Sequence, residues 1–126
     1  IYNKLKKNII KETFVPNIES WIGASDLVYA LHKVPHFSRT AIEAGAMCKP
    51  VIAYNIGGVN EVIKHEYNGL LVALKDYISL ANAIEKILDD KKLANFYGKN
   101  GRILVKKKFS REIVEEKFLK IYKEYV

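Results

Sequence analysis

Residues 37–61 decide the fold, and they read FSRTAIEAGAMCKPVIAYNIGGVNE. Ser38 is a favourable helix N-cap, and the Ala- and Ile-rich run behind it suits a helix packed against a sheet. Pro50 cannot continue a helix, so this helix should end near Met47 or Cys48. The proline and the apolar residues after it do not alternate with polar ones, which predicts a strand buried on both faces, as parallel strands are.

The start of the predicted helix is suited to an anion. Backbone amides at Arg39 and Thr40 would project from the first turn, where the helix macrodipole also favours negative charge. A phosphate binds there without needing a positively charged side chain. The guanidinium of Arg39 either adds a bidentate contact or is simply solvated.

An acidic residue and a glycine pair complete the pattern. Glu43 lies about one turn further into the helix, where its carboxylate either accepts hydrogen bonds from sugar hydroxyls or only complements the helix dipole. Gly57 and Gly58 follow the strand and permit close backbone approach or positive φ. Ligand crevices in open α/β sheets lie at the carboxyl ends of the strands. The stretch therefore predicts a site for a phosphate and a ribose.

The remainder of the chain alternates strands and helices, which predicts an α/β fold with a Rossmann-like parallel sheet and flanking helices. Residues 1–8 have the composition of the polar end of a helix. The predicted elements are a strand over 8–14, a short helix over 15–23, a buried strand over 26–31, a loop over 33–37, a short helix over 60–64, a turn at Asn68 and Gly69, a strand over 70–72, a long helix capped by Asp76, and helices over 91–107 and 111–124.

Two of these helices carry apolar stripes at helical spacing. The last stripe either packs on this same domain, which is the simpler expectation, or faces a partner. The stripe after Asp76 contains Leu80, Ala83, Ile84, Ile87 and Leu88, and the last one contains Val114, Phe118, Ile121, Tyr122 and Tyr125.

Composition bounds the functional classes. The 126 residues suffice for a single domain, and the one Cys rules out a disulfide scaffold and fits a reducing, cytoplasmic compartment. Cys48 has no neighbouring ligand, and His32, His36 and His65 are scattered in sequence, so we predict no metal site. No apolar run approaches the ~20 residues that span a bilayer.

The net charge of +7 comes entirely from residues 91–126, which carry eleven Lys or Arg against four Asp or Glu. Lys106, Lys107 and Lys108 form the densest cluster. It is either a solvated helix face or a surface for anionic lipid, which allows peripheral contact with the inner face of the cell membrane. No nucleic-acid-binding motif accompanies the charge, so nucleic acid is not an expected partner.

An ordered series of motifs resembles the C-terminal domain of GT-B-fold glycosyltransferases of the retaining family four, also described as glycosyl transferases group 1. The resemblance covers roughly residues 9–122. The matching segments are Phe37-Ser38-Arg39-Thr40 with Ile42-Glu43-Ala44, then Lys49-Pro50-Val51-Ile52-Ala53, then Gly57-Gly58-Val59-Asn60-Glu61-Val62-Ile63, and finally Asn68-Gly69-Leu70-Leu71-Val72.

This resemblance implies roles for individual residues. Glu43 would bond the ribose of a nucleotide, and the amides of Arg39 and Thr40 would hold the β-phosphate. Family members have another glutamate for the transferred sugar, and its place is taken here by Pro35, which has no side-chain acceptor. Its neighbour His36 either supplies a neutral hydrogen-bonding group instead or is structural. The donor-binding residues are thus expected to be His36, Phe37, Ser38, Arg39, Thr40, Glu43, Gly57 and Gly58, with no catalytic residue assigned.

The resemblance implies the donor-binding part of a hexosyltransferase that uses a nucleoside-diphosphate sugar, needs no metal or cofactor, and acts on a glycan or lipid-linked acceptor with retention. Residues 1–126 would form one incomplete nucleotide-sugar-binding domain, inactive without an N-terminal acceptor-binding domain of the same polypeptide. Two alternatives remain open. Nucleotide-sugar epimerases use the same fold, and the missing carboxylate at Pro35 is compatible with a non-catalytic binding module.

Overall fold

The computed structural model describes residues 8–126, and within them one parallel sheet of order β1-β2-β3 lies between helices. This confirms the predicted α/β class. The helix end predicted for the N-terminus falls on residues 1–7, outside the described part of the chain. In chain order the elements are α1 (Ile18–Ala24), β1 (Val28–Ala30), α2 (Arg39–Ala46), β2 (Val51–Tyr54), α3 (Val59–Val62), β3 (Gly69–Val72), α4 (Tyr77–Asp89), α5 (Lys91–Phe109) and α6 (Arg111–Tyr125).

The central strand β2 organises the core. It pairs with β1 on one side and β3 on the other, and all four of its side chains are buried. Val51 and Ala53 join the cluster that contains the buried alanines of α2, whereas Ile52 and Tyr54 face the cluster formed with α4 and the start of α5. The alternation follows from the period of two along a strand. The prediction of a strand buried on both faces is confirmed.

Helix α5 links the two faces of the sheet. It starts in the α4 cluster through Tyr97 and then runs along α2 in the opposite direction. A Cβ atom added to Gly45 of α2 would lie 3.2 Å from the carbonyl oxygen of Gly101 of α5, so the two helix backbones nearly touch. One added to Gly98 would overlap the carbonyl of Cys48. The glycines at this crossing therefore allow α5 to pack directly against α2 and the residue that follows it.

The strand predicted over 8–14 is absent. Residues 9–14 pair with no described strand, and Ile10 and Phe14 are 77% and 81% exposed. Adjacent apolar residues favour a strand only where a sheet edge and a covering layer exist. In the described part of the chain this segment neither pairs with an edge strand of the sheet nor is covered by another layer, so the prediction was wrong.

Three predictions of burial were also wrong. In β1, Tyr29 is half exposed because this strand forms an edge of the described sheet. On α4, Leu88 lies outside the buried face that contains Ala83 and Ile87. No residue of α6 is buried, so its apolar stripe does not pack on the described part of this domain.

Candidate functional site

The predicted site lies at the carboxyl ends of β1 and β2. The segment after β1 leads into α2, and the segment after β2 contains the glycine pair. A Cβ atom built on Gly57 would lie 2.8 Å from the amide nitrogen of His36 and 2.9 Å from the Cα atom of Pro35. One built on Gly58 would lie 3.6 Å from the ring of Phe37. Two segments that are separated in sequence are therefore packed against each other here.

Gly57 is required at this contact for a second reason. Its φ is +57°, which lies in the left-handed region that L side chains rarely adopt. Gly58 has an ordinary φ of −80° and precedes α3 as its N-cap. The two glycines thus differ. Gly57 has a positive φ and no room for a side chain, whereas Gly58 has an ordinary φ and its nearest neighbours lie at ordinary contact distances.

The N-terminus of α2 presents unused backbone donors. Ser38 is fully buried, and its Oγ accepts a hydrogen bond of 3.2 Å from the amide of Ala41. The Ser38 carbonyl accepts from the amide of Ile42 at 3.4 Å. Among residues 8–126, no acceptor meets the amides of Arg39 and Thr40. Ser38 is consequently the cap that shapes the turn, and the next two amides are available to an anion.

The side chains around these amides are accessible. Arg39 and Glu43 are exposed, and neither makes an ion pair with any of residues 8–126. Thr40 is half-buried. Glu43 is four residues beyond Arg39, so its Cα lies about 6 Å further along the helix axis. A carboxylate at that distance can accept from hydroxyls next to a bound phosphate without facing the phosphate directly.

Phe37 has a structural anchor. Its ring meets that of Phe109 edge-on, with centroids 5.7 Å apart and planes at 68°, and Phe109 packs against the core cluster around α2. Aromatic pairs favour this geometry. Phe37 is still 44% exposed, so one part of the ring holds the loop to the end of α5 while the rest stays open. Phe109 is the last residue of α5, and Ser110 caps α6.

The histidines are not all scattered, which corrects the expectation from spacing. The rings of His32 and His36 have centroids 4.1 Å apart and planes at 60°. Nδ1 of His36 lies 3.2 Å from the carbonyl oxygen of Val34. Their separation of four residues in a loop gave no periodic signal, so sequence reasoning missed this pair. His65 lies elsewhere, where its Nδ1 accepts a hydrogen bond from the Leu71 amide.

Pro35, which the resemblance places where family members have an acceptor for the transferred sugar, packs on Gly57. In the described part of the chain, no group of three or more His, Cys, Asp or Glu is placed to hold a metal ion. A cavity of about 440 Å³ opens at the opposite end of the strands, before β1 and β2, beside Asp26, Cys48 and Pro50. None of the predicted site residues lines it, so we assign the site by its backbone geometry and not by this cavity.

Comparison with known proteins agrees with the fold. A sequence model described as "Glycosyl transferases group 1" matches residues 3–104, which is most of the chain. The chain belongs to the glycosyl transferases group 1 family. It is 33% identical over 90 residues to the capsular polysaccharide biosynthesis glycosyltransferase CapM of Staphylococcus aureus, a match covering 71% of this chain and 24% of CapM.

Solved structures of glycosyltransferases superimpose closely. A glycosyltransferase from Rickettsia africae aligns with a TM-score of 0.88 and 33% identity, over 98% of this chain and 34% of that one. HepE from Anabaena in complex with UDP aligns with a TM-score of 0.90 and 25% identity, over 98% of this chain and 35% of HepE. HepE has also been solved with UDP-glucose. This group 1 chain thus has the fold of GT-B glycosyltransferases and spans about a quarter of the curated relative CapM.

Among residues 8–126, no helix combines the length and the apolar character needed to cross a membrane. The cytoplasmic location and the peripheral membrane contact stay predictions. The same holds for the absence of cofactor, metal and nucleic-acid partners.

Proposed function

We propose that this chain is the donor-binding part of a glycosyltransferase that transfers a hexosyl group from a nucleoside-diphosphate sugar to a glycan or lipid-linked acceptor, with retention and without a metal. The observation that carries the proposal is the pair of unpartnered amides at Arg39 and Thr40, beside the packed turn at Gly57. Family membership and the UDP-glucose complex of the neighbour HepE support a nucleotide sugar as the donor.

In this proposal the two amides hold the β-phosphate of the donor. A diphosphate leaving group gains negative charge as the glycosidic bond breaks, and fixed amide dipoles at a helix terminus stabilise that charge. Arg39 adds its guanidinium to the same charge. This arrangement needs no metal ion for the departure of the nucleotide.

Glu43 accepts hydrogen bonds from the ribose hydroxyls. It is exposed and has no cationic partner among residues 8–126, so its carboxylate is open to a ligand. The turn at Gly57 and Gly58 borders the sugar end of the donor. Phe37 packs between Gly58 and Phe109 and so anchors the loop before α2. The acceptor-binding domain would come from the rest of the polypeptide, and residues 8–126 alone would not catalyse transfer.

A substitution pair isolates one of the amides. Proline at the first helical position keeps the helix but has no N–H, and α2 begins at Arg39. Arg39→Pro removes the side chain and the amide, whereas Arg39→Ala removes the side chain alone. We expect Arg39→Pro to weaken UDP or GDP binding by the full-length protein about 10-fold or more beyond Arg39→Ala, because a hydrogen bond to a charged group contributes about 1.5–3 kcal/mol.

Calorimetric titration with both nucleotides measures this difference and identifies the base. Glu43→Ala should weaken binding as well, while Glu85→Ala, an exposed carboxylate on α4, serves as the matched control. Equal affinities for Arg39→Pro and Arg39→Ala would contradict the phosphate assignment.

A non-catalytic nucleotide-sugar-binding module is the second candidate, because Pro35 supplies no acceptor for the transferred sugar. Transfer assays of the full-length protein with a panel of donors separate the two. Tight donor binding without turnover on any donor would favour the module. The relatives reported above carry glycosyltransferase names, and we therefore do not propose the epimerase.

A further inference from the structure

His36 has one ring nitrogen engaged and one open. A carbonyl oxygen only accepts, so a hydrogen bond between Nδ1 and the Val34 carbonyl assigns the ring proton to Nδ1. In the neutral ring, Nε2 is then a hydrogen-bond acceptor. Within residues 8–126 the Val34 contact is the single hydrogen bond of this ring. His36 therefore offers an unused acceptor at the mouth of the candidate site.

The ring is also held in place. His32, just after β1, packs its imidazole against that of His36, with centroids 4.1 Å apart. The backbone of His36 lies against Gly57, which has no room for a side chain there. The Val34 carbonyl and the His32 ring thus hold the imidazole, while the contact with Gly57 holds the backbone that carries it. His36 is half-buried, as expected for a ring that packs on one side and is accessible on the other.

The position of His36 selects the part of the ligand that it meets. It precedes Arg39 by three residues, so their Cα atoms are at most about 11 Å apart. Glu43 lies beyond the same amides, inside the helix. In the sequence, His36 therefore precedes the proposed phosphate site and Glu43 follows it. A nucleotide sugar carries hydroxyls on both sides of its diphosphate, on the ribose and on the transferred sugar.

We propose that His36, positioned by His32, accepts a hydrogen bond at Nε2 from a hydroxyl of the transferred sugar. This inference rests on the proposed function, in which the amides bind the β-phosphate and Glu43 binds the ribose. It gives the sugar an acceptor in a loop whose preceding residue, Pro35, has none.

The test compares a sugar nucleotide with its bare nucleotide in the full-length protein. From UDP-glucose, UDP-galactose, UDP-N-acetylglucosamine and GDP-mannose, the one bound most tightly is titrated alongside UDP or GDP. We expect His36→Ala to lower the affinity for the sugar nucleotide about fivefold, which is the factor for one net hydrogen bond. The affinity for the bare nucleotide should change less than about twofold. His36→Gln should retain part of the affinity because its amide oxygen also accepts. Lys33→Gln, an exposed charge in the same loop, should change neither.

The outcomes separate this inference from the proposed function. If His36→Ala lowers the affinities for the sugar nucleotide and for the bare nucleotide equally, the assignment of His36 to the sugar is overturned. Unchanged affinities for both would overturn the contact itself, while weakening by Arg39→Pro in the same experiments would leave the proposed function standing. A wild-type protein that binds none of these nucleotides would overturn the proposed function and this inference with it.

His32 is tested as a positioning residue by a readout other than affinity. His32→Ala should change the ¹⁵N shifts of the His36 ring and lower the preference for the sugar nucleotide. His32→Phe keeps a ring against His36 and should restore much of that preference. If His32→Ala leaves both the ring shifts and the preference unchanged, His32 does not position His36.

Discussion

Replacing Gly57 by alanine tests whether the turn after β2 holds the loop before α2 in place. A non-glycine residue at the φ of +57° found here costs about 1–2 kcal/mol. The new Cβ would also lie 2.8 Å from the His36 amide nitrogen, 2.9 Å from the Pro35 Cα and 3.0 Å from the Pro35 Cβ. None of these atoms belongs to a flexible side chain, so the loop itself must move, at a further cost of about 1–2 kcal/mol.

Gly58→Ala is the matched control. Gly58 has an ordinary φ, and its added Cβ would lie 3.4 Å from Oε1 of Glu61 and 3.6 Å from the ring of Phe37. Gly58 is the N-cap of α3, where glycine is preferred over alanine, so we expect a cost of no more than about 1 kcal/mol.

The assay is urea-induced unfolding of the wild type and both variants, followed by circular dichroism, with midpoints compared at equal slope. We expect Gly57→Ala to lose about 2–4 kcal/mol of unfolding free energy, as the sum of the strain and the overlap. The same variant should lose the preference for the sugar nucleotide over the nucleotide, because His36 moves with the loop. A Gly57→Ala protein as stable as Gly58→Ala would refute this account of the turn.

Three further perturbations test the elements around the site. Ser38→Ala removes the N-cap of α2 and should lower the unfolding free energy by about 1–2 kcal/mol, measured in urea; an unchanged midpoint would show that the cap is dispensable. Gly98→Ala places a methyl group on the Cys48 carbonyl, so we expect loss of soluble, folded protein, while normal expression and melting would contradict the close packing of α5. The hydrogen bonds from Ser79 lower the pKa of Asp76 below its usual value of 3.8. Because the pKa is lower in the folded protein, the charge of Asp76 stabilises the fold at pH values above the pKa of the unfolded chain, and this contribution is lost as the pH falls below that pKa. The difference in unfolding free energy between wild type and Asp76→Asn, measured in urea, should therefore shrink below about pH 4. A difference that stays constant with pH would exclude the charge as its source.

The sequence was sufficient for the elements whose signals are local. Ser38 and Pro50 mark the two ends of α2, and both ends were predicted within one or two residues. The uniform apolar run of β2 predicted its burial on both faces, because only a central parallel strand needs apolar residues at every position. Asp76 was predicted to cap the long helix, and its carboxylate accepts a hydrogen bond from the amide of Ser79, three residues on, as an N-cap does.

Other features depend on contacts that are distant in sequence or lie outside the described residues. A stripe such as the one on α6 looks the same whether or not a neighbour covers it, and here no described residue does. The stacking of His32 on His36 depends on the path of an irregular loop, for which the sequence has no period. The open amides at Arg39 and Thr40 were predicted from the cap alone, whereas the packing of Gly57 on Pro35 required the coordinates.

The two open amides of α2 have a consequence for how such a site changes over generations. They belong to the backbone, so nineteen of the twenty amino acids supply the same N–H at either position, and only proline removes it. Arg39 and Thr40 can therefore be exchanged without deleting the donors themselves. In the proposed function, the side chains of the neighbouring loop, including His32 and His36, can vary while these backbone donors to the phosphate are kept. The preference for one sugar over another would then change through substitutions in the loop while the proposed binding of the phosphate is retained.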